Sequence, residues 1–244
     1  MPDSDSTTTG SAVTTGSAVT TESAVTTDST VTAEDVRSAV RLAVAALSEG
    51  TGADWSVKAG SLEWDCWETV EHLSDDFFGY AAQLTPDNPP LTGGIPFAFT
   101  RRTPDGPRNV IVTDRAAGPE GLLRVMEACG SLLTAMVRTA PPELRAWHPY
   151  GVADAAGFAA MGVVETLVHV YDVAEGLGIG WEPPQDLCRR VLTRLFPDVQ
   201  VDAGPWQALL WATGRTALPG RPRRTSWRWY GTPDVQQVTA PAAG

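Results

Sequence analysis

Three histidines occur in the 244 residues, His72, His148 and His169, and two of them follow a glutamate by four positions: Glu68 precedes His72 and Glu165 precedes His169. In a helix that spacing places carboxylate and imidazole on one face. Such a pair can offer one oxygen and one nitrogen to a divalent ion. A further histidine from a facing helix would complete a three-ligand site with an open position, the arrangement expected of a catalytic zinc. Asp172 lies one turn beyond His169 and can instead orient that ring from behind. The competing reading is a solvated surface pair contributing roughly a few tenths of a kcal/mol. Apolar flanks around Glu165 and His169 argue for burial, where both groups need a partner. Both pairs are Glu-x-x-x-His, not the Glu-x-x-His of di-iron bundles, and no HExxH occurs, so a mononuclear site is expected.

Other candidates are more open. His148, in RAWHPYG, is either a packing or solvated loop residue or a general base at the mouth of the site. Glu68 is expected as a surface partner of His72, with a fourth ligand or an acid/base group as the alternatives. Cys66 is expected in the core. Trp64 and Trp67 are expected there too, unless one walls a pocket.

The elements that must position these groups are helical. Residues 1–32 carry a degenerate six-residue repeat (GSAVTT, GSAVTT, ESAVTT, DSTVTA from Gly10) with no aromatic residue, which predicts a disordered tail. A first helix is expected from Thr32 to about Gly50 and a second over 61–84, with apolar residues recurring every three or four positions. Residues 85–118 hold two β-like runs, 97–101 and 109–114, around the turn TPDGP, which predicts a small hairpin. A third helix opens at Pro119–Glu120 and ends near Arg138. A fourth is capped by Asp154 and runs to Gly176. Two shorter helices, 184–196 and 204–213, precede an irregular end. The expected fold is mainly α: a four-helix bundle over 33–180 with a crossover connection, and a short C-terminal extension over 181–244.

Composition narrows the partners. The formal net charge is −11, from 18 basic and 29 acidic residues. Four of those acids lie in the first 32 residues, so the remainder is still acidic, and neither nucleic acid nor an anionic membrane is expected as partner. Three widely spaced cysteines exclude a disulfide framework and fit a reducing cytoplasm, the expected location. No run of eighteen uninterrupted apolar residues and no basic-then-apolar leader is present, which predicts neither a spanning helix nor a secretory signal. Lys58 is the sole lysine against seventeen arginines, a bias of GC-rich bacterial coding. Five arginines interleave with Trp227, Trp229 and Tyr230 near the C-terminus. In so acidic a chain they suit internal pairing or a small carboxylate substrate.

WDCWETVEHL at 64–73 and ETLVHVYDVAEGLG at 165–178 resemble the DinB/maleylpyruvate isomerase superfamily of metal-dependent thiol enzymes. That family has a Trp shortly before a His-Leu on one bundle helix and a Glu/His or His/His pair followed by Asp on a later one. The resemblance covers roughly residues 33–180. It implies His72, Glu165 and His169 as metal ligands, with water or a thiolate in the fourth position. Family members often carry Arg three residues before the Glu, where this chain has Gly162. They also draw a catalytic arginine from a larger C-terminal domain, a role for which Arg215 is the candidate here, as anchor of a substrate carboxylate. The implied partners are a small-molecule thiol and a small electrophile, and such bundles often pair as homodimers. Coordination deprotonates a thiol, so a low-molecular-weight thiol would be the nucleophile of an S-transferase or isomerase. Coding bias and resemblance together point to mycothiol. The alternatives are a zinc-hydroxide hydrolase of a small amide or ester, and a non-catalytic metal-stabilised stress or binding protein.

Overall fold

The computed structural model describes residues 30–233, so most of the Thr-rich repeat lies outside the described residues. The chain is mainly helical: α1 (Ala33–Ser48), α2 (Cys66–Gln83), α3 (Gly118–Thr139), α4 (Ala155–Leu177), α5 (Gln185–Leu195) and α6 (Pro205–Ala212). α1 and α2 each pack on α3 and on α4, α5 packs on α4, and α6 packs on α5.

Local chemistry sets the helix starts. Thr32 and Asp35 form a capping box, and the buried Val31 and Val36 occupy the positions of a hydrophobic staple. The last valine of the repeat therefore belongs to the core. Asp65 and Glu68 form a second capping box, so α2 begins at Cys66 and not at the expected Ser61. The residues before it are turns closed by Ala59 N–H to Trp64 O and Leu62 N–H to Ala59 O. Asp154 accepts from Gly157 N–H at 2.8 Å and starts α4.

α4 is buried on nearly every side. By length and composition it could cross a membrane, but 89% of its most apolar window is buried inside this fold, which makes it a core helix. Gly162 explains the absence of a longer side chain three residues before Glu165: a Cβ there would lie 2.5 Å from Leu133 Cδ2. Near the other end, a Cβ on Gly176 would meet the Lys58 carbonyl and Cys66 Sγ, at 2.4 and 2.7 Å.

The 85–117 crossover differs from the expected hairpin. Among the described residues its two runs meet at one antiparallel bridge, Thr100 with Asn109, and form no strand. Carboxylates of α2 take the hydrogen bonds that a second strand would have made. Asp75 Oδ1 accepts from Val110 and Ile111 N–H at 2.6 and 2.7 Å, and Glu71 Oε1 accepts from Thr113 N–H at 2.6 Å. Arg102 closes a bidentate pair on Glu71 at 2.7 and 2.8 Å.

The C-terminal extension is bound into the bundle. Tyr230 N–H bonds Leu195 O, Gly231 N–H bonds Tyr150 O, and Arg190 pairs with Asp35 of α1. Arg194 pairs with Asp154 and donates to the carbonyls of Tyr230 and Gly231. Gly176→Ala should lower stability by about 1–3 kcal/mol, because backbone on one side of the contact cannot yield. Thermal unfolding of the variant checks this, with Gly52→Ala, which meets nothing within 4 Å, as the control.

Candidate metal centre

α2 and α4 lie side by side and bring four titratable groups together. His72 and Asp76 project from α2, one turn apart; Glu165 and His169 do so from α4. His72 Nε2 lies 3.3 Å from Asp76 Oδ2, and His169 Nε2 lies 3.1 Å from Glu165 Oε2. The two imidazole centroids are 5.5 Å apart, ring edge to ring face. One ligand atom each from His72, Asp76 and His169 fall within 4.8 Å of one another, so this cluster could hold a metal ion.

The electrostatics fit a cation. Burial drives the carboxyl of Asp76 well above its usual range, and the Glu165 carboxylate adds to the effect. Burial, with His169 nearby, pushes His72 down to about 4. Burial alone would raise Glu165, but the two imidazoles and Arg215 hold it below its ordinary value. For His169 burial opposes charge, yet Asp172 and Glu165 outweigh it and raise the imidazole to about 9. A proton on His169 thus stands where positive charge is wanted.

Hydrogen bonding agrees. Asp76 Oδ2 is buried without an aligned partner. Asp76 Oδ2 and His72 Nε2 are close but not bonded, and 3.3 Å is near the edge of a tetrahedron with bonds of about 2.0–2.1 Å. Such atoms are spaced to share a cation.

Asp172 stands behind His169, its Oδ2 3.3 Å from Nδ1. The expected orienting role fits this placement. Arg215, which lines the cavity, is engaged by Asp172: its Nη2 and Nε bond Asp172 at 2.7 and 3.3 Å, and Nη1 donates to Thr213 O. Glu68 likewise turns away from His72. Thr103 Oγ1 donates to it at 2.8 Å, and its other oxygen caps Asp65 N–H. Asp76 is the residue that spacing did not single out. It stands at i+4 from His72, on the C-terminal side of the histidine, whereas the Glu-x-x-x-His pattern lies on the N-terminal side.

His72, Asp76, Glu165, His169 and Arg215 line a cavity of about 860 Å³. Trp64 forms one wall, its ring centroid 4.8 Å from that of His72; Trp67 is core. The extension contributes Arg223, Arg224, Trp227 and Trp229 to the lining. His148 lines the cavity too, and burial pushes its imidazole down to about 4. Its Nδ1 already accepts from Tyr150 N–H at 3.1 Å, which removes that nitrogen from the general-base role considered for it. Comparisons of the chain with protein-family models, with curated proteins and with solved structures find no match.

The protein reconstituted with zinc should bind about one equivalent, as a single-ion site requires. His169→Ala and Asp76→Ala should lose it, and Glu68→Gln should keep it. Arg215→Ala, which frees Asp172, should weaken affinity roughly 10–100-fold. Metal analysis and a competition titration against a chelating dye read all four.

Proposed function

We propose that the chain is a zinc-dependent thiol enzyme with a DinB-like four-helix bundle, α1–α4, acting as a mycothiol-dependent S-transferase or isomerase on a small electrophile. The observation that carries this reading is the placement of two imidazoles and two carboxylates at the floor of a cavity that has room for both a thiol cosubstrate and its acceptor. The resemblance of residues 64–73 and 165–178 supports the thiol chemistry in particular. Bound there, a divalent ion would lower the pKa of a coordinating thiol and make it nucleophilic at neutral pH.

His72, Glu165 and His169 would hold the ion, with Asp76 as a further oxygen donor beside His72. Asp172 fixes the His169 ring so that Nε2 faces the cavity, and Arg215 fixes Asp172. Burial, with Asp76 and Glu165 close by, keeps the Tyr80 phenol protonated, and its hydroxyl stands 3.5 Å from Glu165 Oε1. Trp64, Trp227 and Trp229 line the same cavity. Arg223 donates to Ser61 Oγ and to the Gly214 carbonyl, and Arg224 stacks on Trp211. Neither makes an ion pair among the described residues, so both can face polar or anionic groups of the substrates.

The chain has no thiol of its own suited to this work. Burial pushes Cys66 and Cys188 up to about 12 and Cys129 up to about 11. A raised pKa keeps each in the thiol form throughout the neutral range. At pH 8 the native protein should therefore leave a disulfide reagent such as Ellman's unreacted, and all three should react after denaturation. Zinc-loaded protein should consume mycothiol in the presence of an arylating or alkylating electrophile, and His72→Ala should fall to the uncatalysed rate. Product formed equally fast without any thiol would overturn the transferase reading in favour of hydrolysis. Metal binding with no thiol conjugate across a panel of electrophiles would leave a metal-stabilised binding protein.

A further inference from the structure

His148 is the third histidine of the chain, and the metal cluster does not use it. It sits in the connection between α3 and α4, where paired hydrogen bonds between Ala146 and Ala153, at 3.0 and 2.9 Å, close a short loop. Within that loop Gly151 N–H bonds His148 O at 2.9 Å, and Tyr150 N–H donates to His148 Nδ1 at 3.1 Å. A backbone N–H is only a donor, so Nδ1 must present its lone pair, and in the neutral ring the proton then resides on Nε2.

The ring has little freedom to turn. Tyr80, Tyr150, Phe158 and Trp229 surround it, with centroids 5.8, 5.6, 6.4 and 5.6 Å away. Trp229 is itself buried, and Gly231 N–H on Tyr150 O ties its segment to the loop. Among the described residues Nε2 has no hydrogen-bond partner, and His148 lines the same cavity as His72, Asp76, Glu165 and His169. A second cavity, of about 250 Å³ and walled largely by aromatic and aliphatic side chains, lies on the other side of Asp76, Tyr80 and His148.

We propose that His148 is a fixed Nε2–H donor in the wall of the metal-centre cavity, selecting a ligand that turns an acceptor oxygen, such as a carbonyl, toward an otherwise aromatic surface. This rests on the cavity being the substrate pocket, but not on thiol chemistry or on the identity of the ion. The residue positions and selects; it does not remove a proton. Burial pushes the imidazole down to about 4, which keeps the doubly protonated ring from competing at neutral pH. The rings packed around His148 offer shape with little direction, so its N–H would orient the part of a bound electrophile that lies against them.

Long-range ¹H–¹⁵N correlation on the full, zinc-loaded chain, labelled at histidine and held at pH 7, reads the tautomer. His148→Gln identifies the signals by their loss. The expected result is a lone-pair Nδ1 and a protonated Nε2. Acetophenone and α-methylstyrene, which has nearly the same shape without the oxygen, then test selection by titration. Acetophenone should shift the Nε2–H proton and bind roughly three- to tenfold more weakly to His148→Phe, while His148→Gln, which keeps an N–H donor, should retain most of the affinity. α-Methylstyrene should bind all three proteins alike. A proton on Nδ1, or equal acetophenone affinity in wild type and His148→Phe, would overturn the proposal. Zinc content, measured on the same samples, reports the metal centre separately: its loss with the nitrogen assignments and the selectivity intact would count against the ion and not against His148.

Discussion

A buried carboxylate on α4, Asp172, is the interaction on which the site depends. It is 1% exposed, faces His169 on its own helix, and takes two guanidinium nitrogens of Arg215 from the segment after α6. Removing one partner of such a buried pair costs about 3–5 kcal/mol, because the remaining charge is left without compensation. Arg215 is itself fixed by the Thr213 carbonyl and lies over the Trp227 ring, 5.7 Å from its centroid. The orientation of one imidazole in the bundle is therefore coupled to the folding of the C-terminal segment. That coupling makes the segment after α6 part of the centre and not an appendage to it.

α2 carries the second constraint, which is that it has two polar faces, one buried under the crossover and one half-buried at the cavity. Glu68, Glu71 and Asp75 share one face and hold the crossover through Thr103, Arg102 and the backbone of residues 110–113. His72, Asp76 and Tyr80 share another and enter the cavity. Burying so many carboxylates on one helix is favourable only if each finds donors. The crossover supplies them with backbone N–H groups and one arginine. Because those N–H groups are committed to α2, the crossover cannot extend into a two-stranded ribbon, and its pairing stops at Thr100 and Asn109.

This double face also explains what was legible in the sequence. Of the six helices all but α2 start where local signals place them, with Thr32, Pro119 and Asp154 at the expected starts, whereas the Asp65 cap moves the start of α2 five residues on. Burial of Glu165 and His169 follows from their apolar flanks. The partners of the α2 acids do not follow, because a glutamate four residues from a histidine has the same spacing whether the two interact or face different neighbours. Spacing alone pairs Glu68 with His72, and the fold instead places Asp76 beside it, at the same separation in the other direction. Arg215 was legible as a cation near a helix end. Its engagement by Asp172 depends on a contact spanning 43 residues, which no local pattern encodes.

The cavity divides along the same lines. Its floor comes from adjacent positions on two packed helices, so the separations among His72, Asp76, Glu165 and His169 are set by bundle packing and change little with sequence elsewhere. Its walls come from connections: the Trp64 turn before α2, the loop that carries His148, and the strip from Gly214 to Trp229. Rigid elements hold the reactive groups, and loops tied to one another decide what reaches them. The ties are specific here. Gly231 joins the terminal strip to the His148 loop, and Arg194 joins it to the cap of α4, the helix that bears Glu165 and His169. The His148 loop and the strip carrying Trp227 and Trp229 are therefore held as one surface beside the centre.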